Sequence, residues 1–353
     1  MAIVGAAMAE KKRKALVYAV LALALAAAIV AATAVGAVHV APVSLLRLLL
    51  HEIGFRAIGL PDARDVTIIV FLRLPRVLVA LLAGSSLAVC GVVMQGLFRN
   101  PMASPEILGI SSGGSLGAVI AITSGLSSLS VLALPAFTMT GALLSAALIY
   151  LLSSSRGTTS LLFIVISGMA ISSLWNGLTS GLLLFSREYE LAQFIFWTMG
   201  GLDGRSWQHV VVSAPVLIPG MIVLSFFSRE LNLFTLGEEG ALSLGVRVEW
   251  TKRLLLALAA IVTGVTISVC GPIGFIGLLI PHLFRFLVGA DHRALIPASA
   301  LGGALFLVLC DLLGRSIVPP FEVRVGIITA ILGSPYLLSL IVRIQRRSTR
   351  GAR

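Results

Sequence analysis

The chain has 353 residues, 58% of them hydrophobic and only 12% charged, too little polar surface to cover a water-soluble globule of this size. Its formal charge of +11 would suit a nucleic-acid binder, but the basic residues are scattered between apolar runs instead of forming a stripe. Composition therefore predicts an all-α, polytopic membrane protein, with a lipid bilayer and no nucleic acid as partner. The basic run Lys11, Lys12, Arg13 and Lys14 leads into an apolar stretch over 15–38 that is longer than a signal-peptide core and is read as the first span. Further runs of spanning length fall near 77–98, 107–124, 131–152, 160–185, 210–227, 254–270, 273–290, 294–314 and 325–342, so about ten transmembrane helices are expected in a single domain over 1–353. Asn100-Pro101 ends the second helix. Ser104, Pro105 and Glu106 follow as N-cap, first-turn proline and acid at the positive helix end. The seventh and eighth runs form a hairpin at Gly271-Pro272, because Lys252 and Arg253 before them and Arg285 and Arg293 after them belong on one side. The glycines of Gly109 to Ala118 and Ser299 to Phe306 suit closely packed helices.

Ten crossings place both termini on one face. Arg343, Arg346, Arg347, Arg350 and Arg353 at the back join the four cations at the front, and Arg99, Arg156, Arg229 and Arg247 fall on the same side. By the positive-inside rule that face of the multi-pass chain is cytoplasmic. The charged stretch over about 228–250 follows the sixth span and is therefore cytoplasmic as well.

Few polar residues are available for chemistry. Cys90, Cys270 and Cys310 lie inside apolar runs without CxxC spacing and read as small packing residues. His39, His51, His209, His282 and His292 are dispersed, so neither a metal set nor a catalytic constellation is indicated. No Lys, Glu or Asp falls near the centre of a predicted span. Asp311 comes closest, toward the outer end of the ninth, and this scarcity weighs against ion-coupled transport. Ser172, Asn176, Thr179 and Ser180 recur at helical spacing in the fifth span, as a path lining or as interhelical hydrogen bonders. Ser186 to Trp207 is amphipathic and aromatic, an interfacial helix on the outer side, with Arg187 and Tyr189 near the mouth of any path. The chain lacks GxxxxGK[ST], so if ATP drives it, ATP and Mg belong to another chain. "GEEGALSLGV" (Gly237 to Val246) is a short helix between glycine breaks. It offers Leu242 and Leu244 for docking and Glu238 and Glu239 for pairing, or else it is a solvated loop.

That segment resembles the coupling segment of permease subunits in binding-protein-dependent ABC importers for cobalamin, haem and ferric siderophores (FecCD type). The likeness continues through Arg73 to Gly114, Trp197 to Trp207, Gly271 to Arg315 and "GIITAILGSPYLL", and so covers most of the chain from about Arg73 onward. It implies a non-catalytic subunit that works as two copies, with two ATP-binding cassette subunits below and an extracytoplasmic binding protein above. Glu238, Glu239, Gly240, Ala241, Leu244 and Gly245 would engage the ATPase. Arg73, Arg76 and Arg315 would meet acidic residues of the binding protein, and an inner gate would fall near Thr158 to Phe163. Where the family usually has a proline this chain has Arg324, just after Pro319 and Pro320. The competing expectations are an ion-coupled transporter or channel that does not use ATP, and a membrane scaffold that transports nothing.

Overall fold

The computed structural model describes residues 2–36, 40–52, 59–155, 158–319 and 321–351. His39, Arg156, Pro320 and Arg353 lie outside them. The elements are α1 (Ala2–Ala34), α2 (Pro42–Glu52), α3 (Ala63–Thr67), a π-helical turn Ile68–Arg73 that runs straight into α4 (Leu74–Phe98), a 3-10 turn Pro105–Leu108, α5 (Ile110–Thr123), α6 (Leu126–Leu129) and α7 (Ala133–Ser153). A two-stranded hairpin, β1 (Ser154–Ser155) and β2 (Thr158–Thr159), leads into α8 (Leu161–Leu184), α9 (Glu188–Thr198) and α10 (Trp207–Phe226). The chain ends with α11 (Ser228–Phe234), α12 (Glu238–Ser243), α13 (Val248–Cys270), α14 (Ile276–Val288), α15 (His292–Ser316) and α16 (Val325–Gly351).

Seven of these helical segments are long and apolar enough to cross a bilayer, and Ile110–Thr123, Ile276–Val288 and Val325–Ser339 are shorter apolar helices. Each predicted run overlaps one of these helices, the end of the first run (37–38) lying outside the described residues, and two depart from the expected form for visible reasons. The third starts late because Gly109 adopts φ +60° and ends the 3-10 turn. The eighth starts late because, after α13 stops at Cys270, Gly271 (φ +69°) turns the chain and residues 271–275 run without helix. The predicted hairpin is therefore present, but its return limb re-enters the bundle as irregular backbone. Such backbone is tolerated at membrane depth only where protein covers it. Gly277, in the first turn of α14, sits against the Leu87 carbonyl and Gly91 of α4. Pro281 has no N–H to offer the Gly277 carbonyl four residues earlier. The Gln95 amide of α4 points at that carbonyl (3.5 Å) and donates to the Leu278 carbonyl (3.2 Å).

The most buried span is the one containing α4, and its most extensive contact is with α15. This crossing is made of small residues: a Cβ built on Gly84 would lie 2.2 Å from the Gly303 carbonyl oxygen, and one on Gly303 2.2 Å from the Gly84 oxygen. Backbone touches backbone, the arrangement small residues permit in a membrane. The second glycine-rich stretch works likewise, Gly113 against Gly141 and Gly117 against Phe137 at the α5–α7 contact. Ser86 and Thr266 share a 2.8 Å hydrogen bond between α4 and α13. All three cysteines are free and buried in this core. At the opposite extreme α8 is the least buried of the long spans.

Candidate functional site: the two ends of the bundle

One end carries the segment singled out in the sequence. Gly237 (φ +97°) releases the chain from α11, and α12 then runs for six residues from Glu238 to Ser243 before Gly245 (φ +85°) ends it. Ala241 is fully buried and Val246 nearly so, which seats the short helix on the bundle. Leu236, Leu242, Leu244 and Trp250 stay more than half exposed and Glu239 projects beside them. Apolar side chains exposed together in this way form a patch of the kind that a partner can cover. Leu242 and Trp250 line a depression of about 470 Å³ together with Glu238, Glu239, Arg247, Val248 and Glu249. The two acids expected to act alike are thus separated. Glu239 faces outward, whereas Glu238 ion-pairs with Lys252 of its own chain at 3.0 Å. Gly240 is half-buried next to Leu236, so its missing side chain lets α12 lie close to the preceding turn.

Lys252 is the feature sequence reading missed. It is 2% exposed, yet its ammonium group donates to the Thr159 carbonyl (2.9 Å), to Glu238 and to Glu249 (2.6 Å). Glu249 in turn accepts from the Thr159 backbone N–H at 2.8 Å. A signal was available: one lysine, three residues after a glutamate, opens an apolar span in a chain whose other lysines sit at its N-terminal end. On the other side of the loop, Asn232 of α11 donates to Asp291 (2.7 Å) and accepts from the His292 N–H (3.0 Å) at the start of α15. Burial pushes the Asp291 carboxyl upward, but the hydrogen bonds from Asn232 and from the Arg293 N–H outweigh it and hold the group below the usual carboxylate range.

The other end gathers the three predicted docking arginines in roles of their own. Arg73 donates to the Thr33 and Ala34 carbonyls (2.8 and 2.6 Å), and Arg315 to those of Ala32 and Val35 (both 3.0 Å). Together they cover the carbonyls left open at the C-terminus of α1, where cations suit the helix dipole. Asp311, 1% exposed, takes Arg76 at 2.8 Å and Arg315 at 3.1 Å, and Arg76 also reaches Glu322 at 2.8 Å. Arg73 and Arg315 are buried. Even so, Arg73, Arg76, Arg205 and Arg315 line a depression of about 310 Å³ in which Glu322 is the one acid. Arg324 pairs with Asp203 and lies 5.2 Å from the Phe196 ring centre.

The candidate path residues divide between two faces. Ser172 accepts a hydrogen bond from Ser112 of α5, and Thr179 is buried. Asn176 and Ser180 are exposed on α8, next to Gly177 and Gly181, which have nothing within 4 Å of a built Cβ. Beyond α8, the interfacial helix expected between Ser186 and Trp207 is present as α9. Its Glu190 carboxylate accepts from the Arg187 N–H (2.9 Å) and the Tyr189 hydroxyl (3.0 Å), and Arg187 and Tyr189 are themselves exposed. Glu106 lies across from Gly274 and beside Ser111 and Thr263 in a cavity of about 110 Å³. Leu87, halfway along α4, lines the same cavity. Sequence placed Glu106 at a helix start, and the structure has it exposed in the first turn of the 3-10 segment Pro105–Leu108.

The FecCD transport family matches residues 23–343. The cobalamin import system permease protein of Halobacterium salinarum is 44% identical over 80% of this chain and 75% of its own length. The hemin transport system permease protein of Yersinia pestis is 41% identical, with 85% and 91% covered. The Fe(3+) dicitrate transport system permease protein of Escherichia coli is 42% identical, with 77% and 84% covered. A solved chain of a metal-chelate type ABC transporter in an inward-facing conformation superposes with a TM-score of 0.81 at 32% identity, over 93% of this chain and 99% of that one. With the match spanning nearly all the apolar helices, this chain belongs to the FecCD transport family of permeases.

Proposed function

We propose that this chain is the membrane subunit of an ATP-driven importer that receives an iron-chelate type ligand, such as haem, a ferric siderophore or cobalamin, from an extracytoplasmic binding protein. The observation that carries this reading is the α12 end, where Leu236, Leu242, Leu244, Trp250 and Glu239 are exposed around a short helix whose Ala241 is fully buried. Two ATP-binding subunits, holding ATP and Mg, dock there, and no catalytic residue belongs to this chain. A second copy packs along α8, the least buried long span, where Gly177 and Gly181 leave room for a close neighbour. The α12 end and both termini face the cytoplasm of a bacterial cell, and the basic depression at the far end receives acidic groups of the binding protein.

Glu106, which lines a cavity together with Leu87 and Thr263 of two long helices, favours a second reading, an ion-coupled transporter. One experiment separates the two. The chain is reconstituted in vesicles with its ATPase and binding protein, and labelled haem, ferric siderophore and cobalamin are offered with ATP, with a non-hydrolysable analogue, or with an ion gradient alone. Uptake that requires hydrolysis supports the importer, and uptake driven by the gradient without nucleotide refutes it.

A further inference from the structure

We propose that Lys252 is the positioning residue through which movement of α12 reaches α8. This rests on the importer reading and assigns the internal link it requires. An ammonium group has three protons to donate, and here they go to three different segments: Glu238 opening α12, Glu249 in the first turn of α13, and the Thr159 carbonyl of β2. Glu249 closes the ring by accepting the Thr159 N–H. Both backbone groups of Thr159 are therefore held by the Lys252–Glu249 pair. The next residue, Ser160, is the N-cap of α8, its hydroxyl accepting from the Phe163 N–H at 3.4 Å. From the docking helix to the first turn of the least buried span the connection is thus continuous, with one buried cation at its centre.

Burial of the ammonium group sharpens the argument. A lysine head taken out of water is costly unless every proton is paired, so the three acceptors cannot drift apart singly without leaving a buried proton unpartnered. A push on Glu238 is therefore transmitted to Thr159 instead of being absorbed between them. A simple packing role would have been met by an apolar side chain of the same volume, with no tie to a backbone carbonyl.

The inference is tested with Lys252→Met, Lys252→Arg and the pair Lys252→Met with Glu249→Gln, each in the full complex with its ATPase and binding protein. Three quantities are read: ATPase retained on purification, melting temperature, and ligand imported per ATP hydrolysed. Expected for Lys252→Met is an assembled complex that still hydrolyses ATP but imports about tenfold less ligand per ATP, within the roughly 5–150-fold span of site-to-site coupling. Lys252→Arg restores most of that ratio, and adding Glu249→Gln to Lys252→Met lowers it little further, because both cut one connection. An unchanged ratio in Lys252→Met overturns the inference, as does a lower melting temperature with loss of bound ATPase and a normal ratio in the complexes that remain. Failure of the wild-type complex to couple uptake to ATP is a different result, and it removes the importer reading itself.

Discussion

Replacing Gly303 by alanine adds a single methyl group at the crossing of α4 and α15. That methyl would stand 2.2 Å from the Gly84 carbonyl oxygen and 2.6 Å from the Ala88 Cβ. Real Cβ atoms essentially never approach heavy atoms closer than 3.0 Å, so the helix axes must part by close to an ångström. The obstacle is main chain, which no rotamer change can clear. Overpacking of this kind costs about 1–3 kcal/mol, and a larger side chain at the same place costs more. We expect Gly303→Ala to lower the melting temperature of the purified protein in lipid nanodiscs by several degrees, and Gly303→Leu to prevent accumulation of folded protein. Gly264→Ala is the matched control: it is also a helical glycine, but a Cβ built there meets nothing nearer than 3.6 Å, and alanine is favoured over glycine in a helix by about 1 kcal/mol. A Gly303→Leu protein that melts with the wild type would refute the claim that direct backbone contact holds this crossing.

The remaining expectations concern charges. Glu239→Lys should leave the melting temperature unchanged while abolishing retention of the ATPase, whereas Glu238→Lys should lower it, because a second cation then faces buried Lys252; equal melting temperatures for the two would contradict the division of roles. Asp311→Asn leaves Arg76 and Arg315 facing a neutral buried group and should cost about 3–5 kcal/mol, seen as poor yield and early unfolding even without any binding protein present. Asp291 has its carboxyl held low, so its contribution to stability is complete above the unfolded value of about 3.9 and is lost as pH falls through the folded one. As pH falls below about 4 the wild type should lose melting temperature faster than Asp291→Asn, and parallel slopes there would show that the Asn232 bond contributes nothing.

Much of this was legible in the sequence because a bilayer permits little choice. A run such as 131–152 must satisfy its own backbone and so becomes a helix, and Ala133–Ser153 does. Glycine breaks at Gly237 and Gly245 bounded α12 correctly, since both take positive φ. What stayed hidden depends on depth and partner, which linear spacing does not encode. Residues 271–275 have the length of a tight hairpin, and only contact with Leu87 and Gly91 shows that the chain dives back into the bundle. Glu106 has the grammar of a helix start, and only the fold brings it into one cavity with Leu87 and Thr263. Arg73 and Arg315 stand at helix ends as expected, but the carbonyls they cover belong to α1, some 40 and 280 positions away.

The same contacts imply where this molecule is stiff and where it can yield. The α4–α15 crossing and the seat of α14 against Gly91 are main-chain contacts, and these have no intermediate positions to slide through, because any shift either opens a void or forces atoms together. The α1, α4 and α15 ends near Asp311 are further tied by three guanidinium groups to one carboxylate and four carbonyls. On the other side α8 has few interior contacts, two glycines without neighbours, and a two-stranded hairpin as its lead-in. A load applied at α12 therefore meets a rigid frame through Asn232 and a compliant element through Lys252 and Thr159. The difference in stiffness between those two routes gives an otherwise well-packed bundle a direction in which to open.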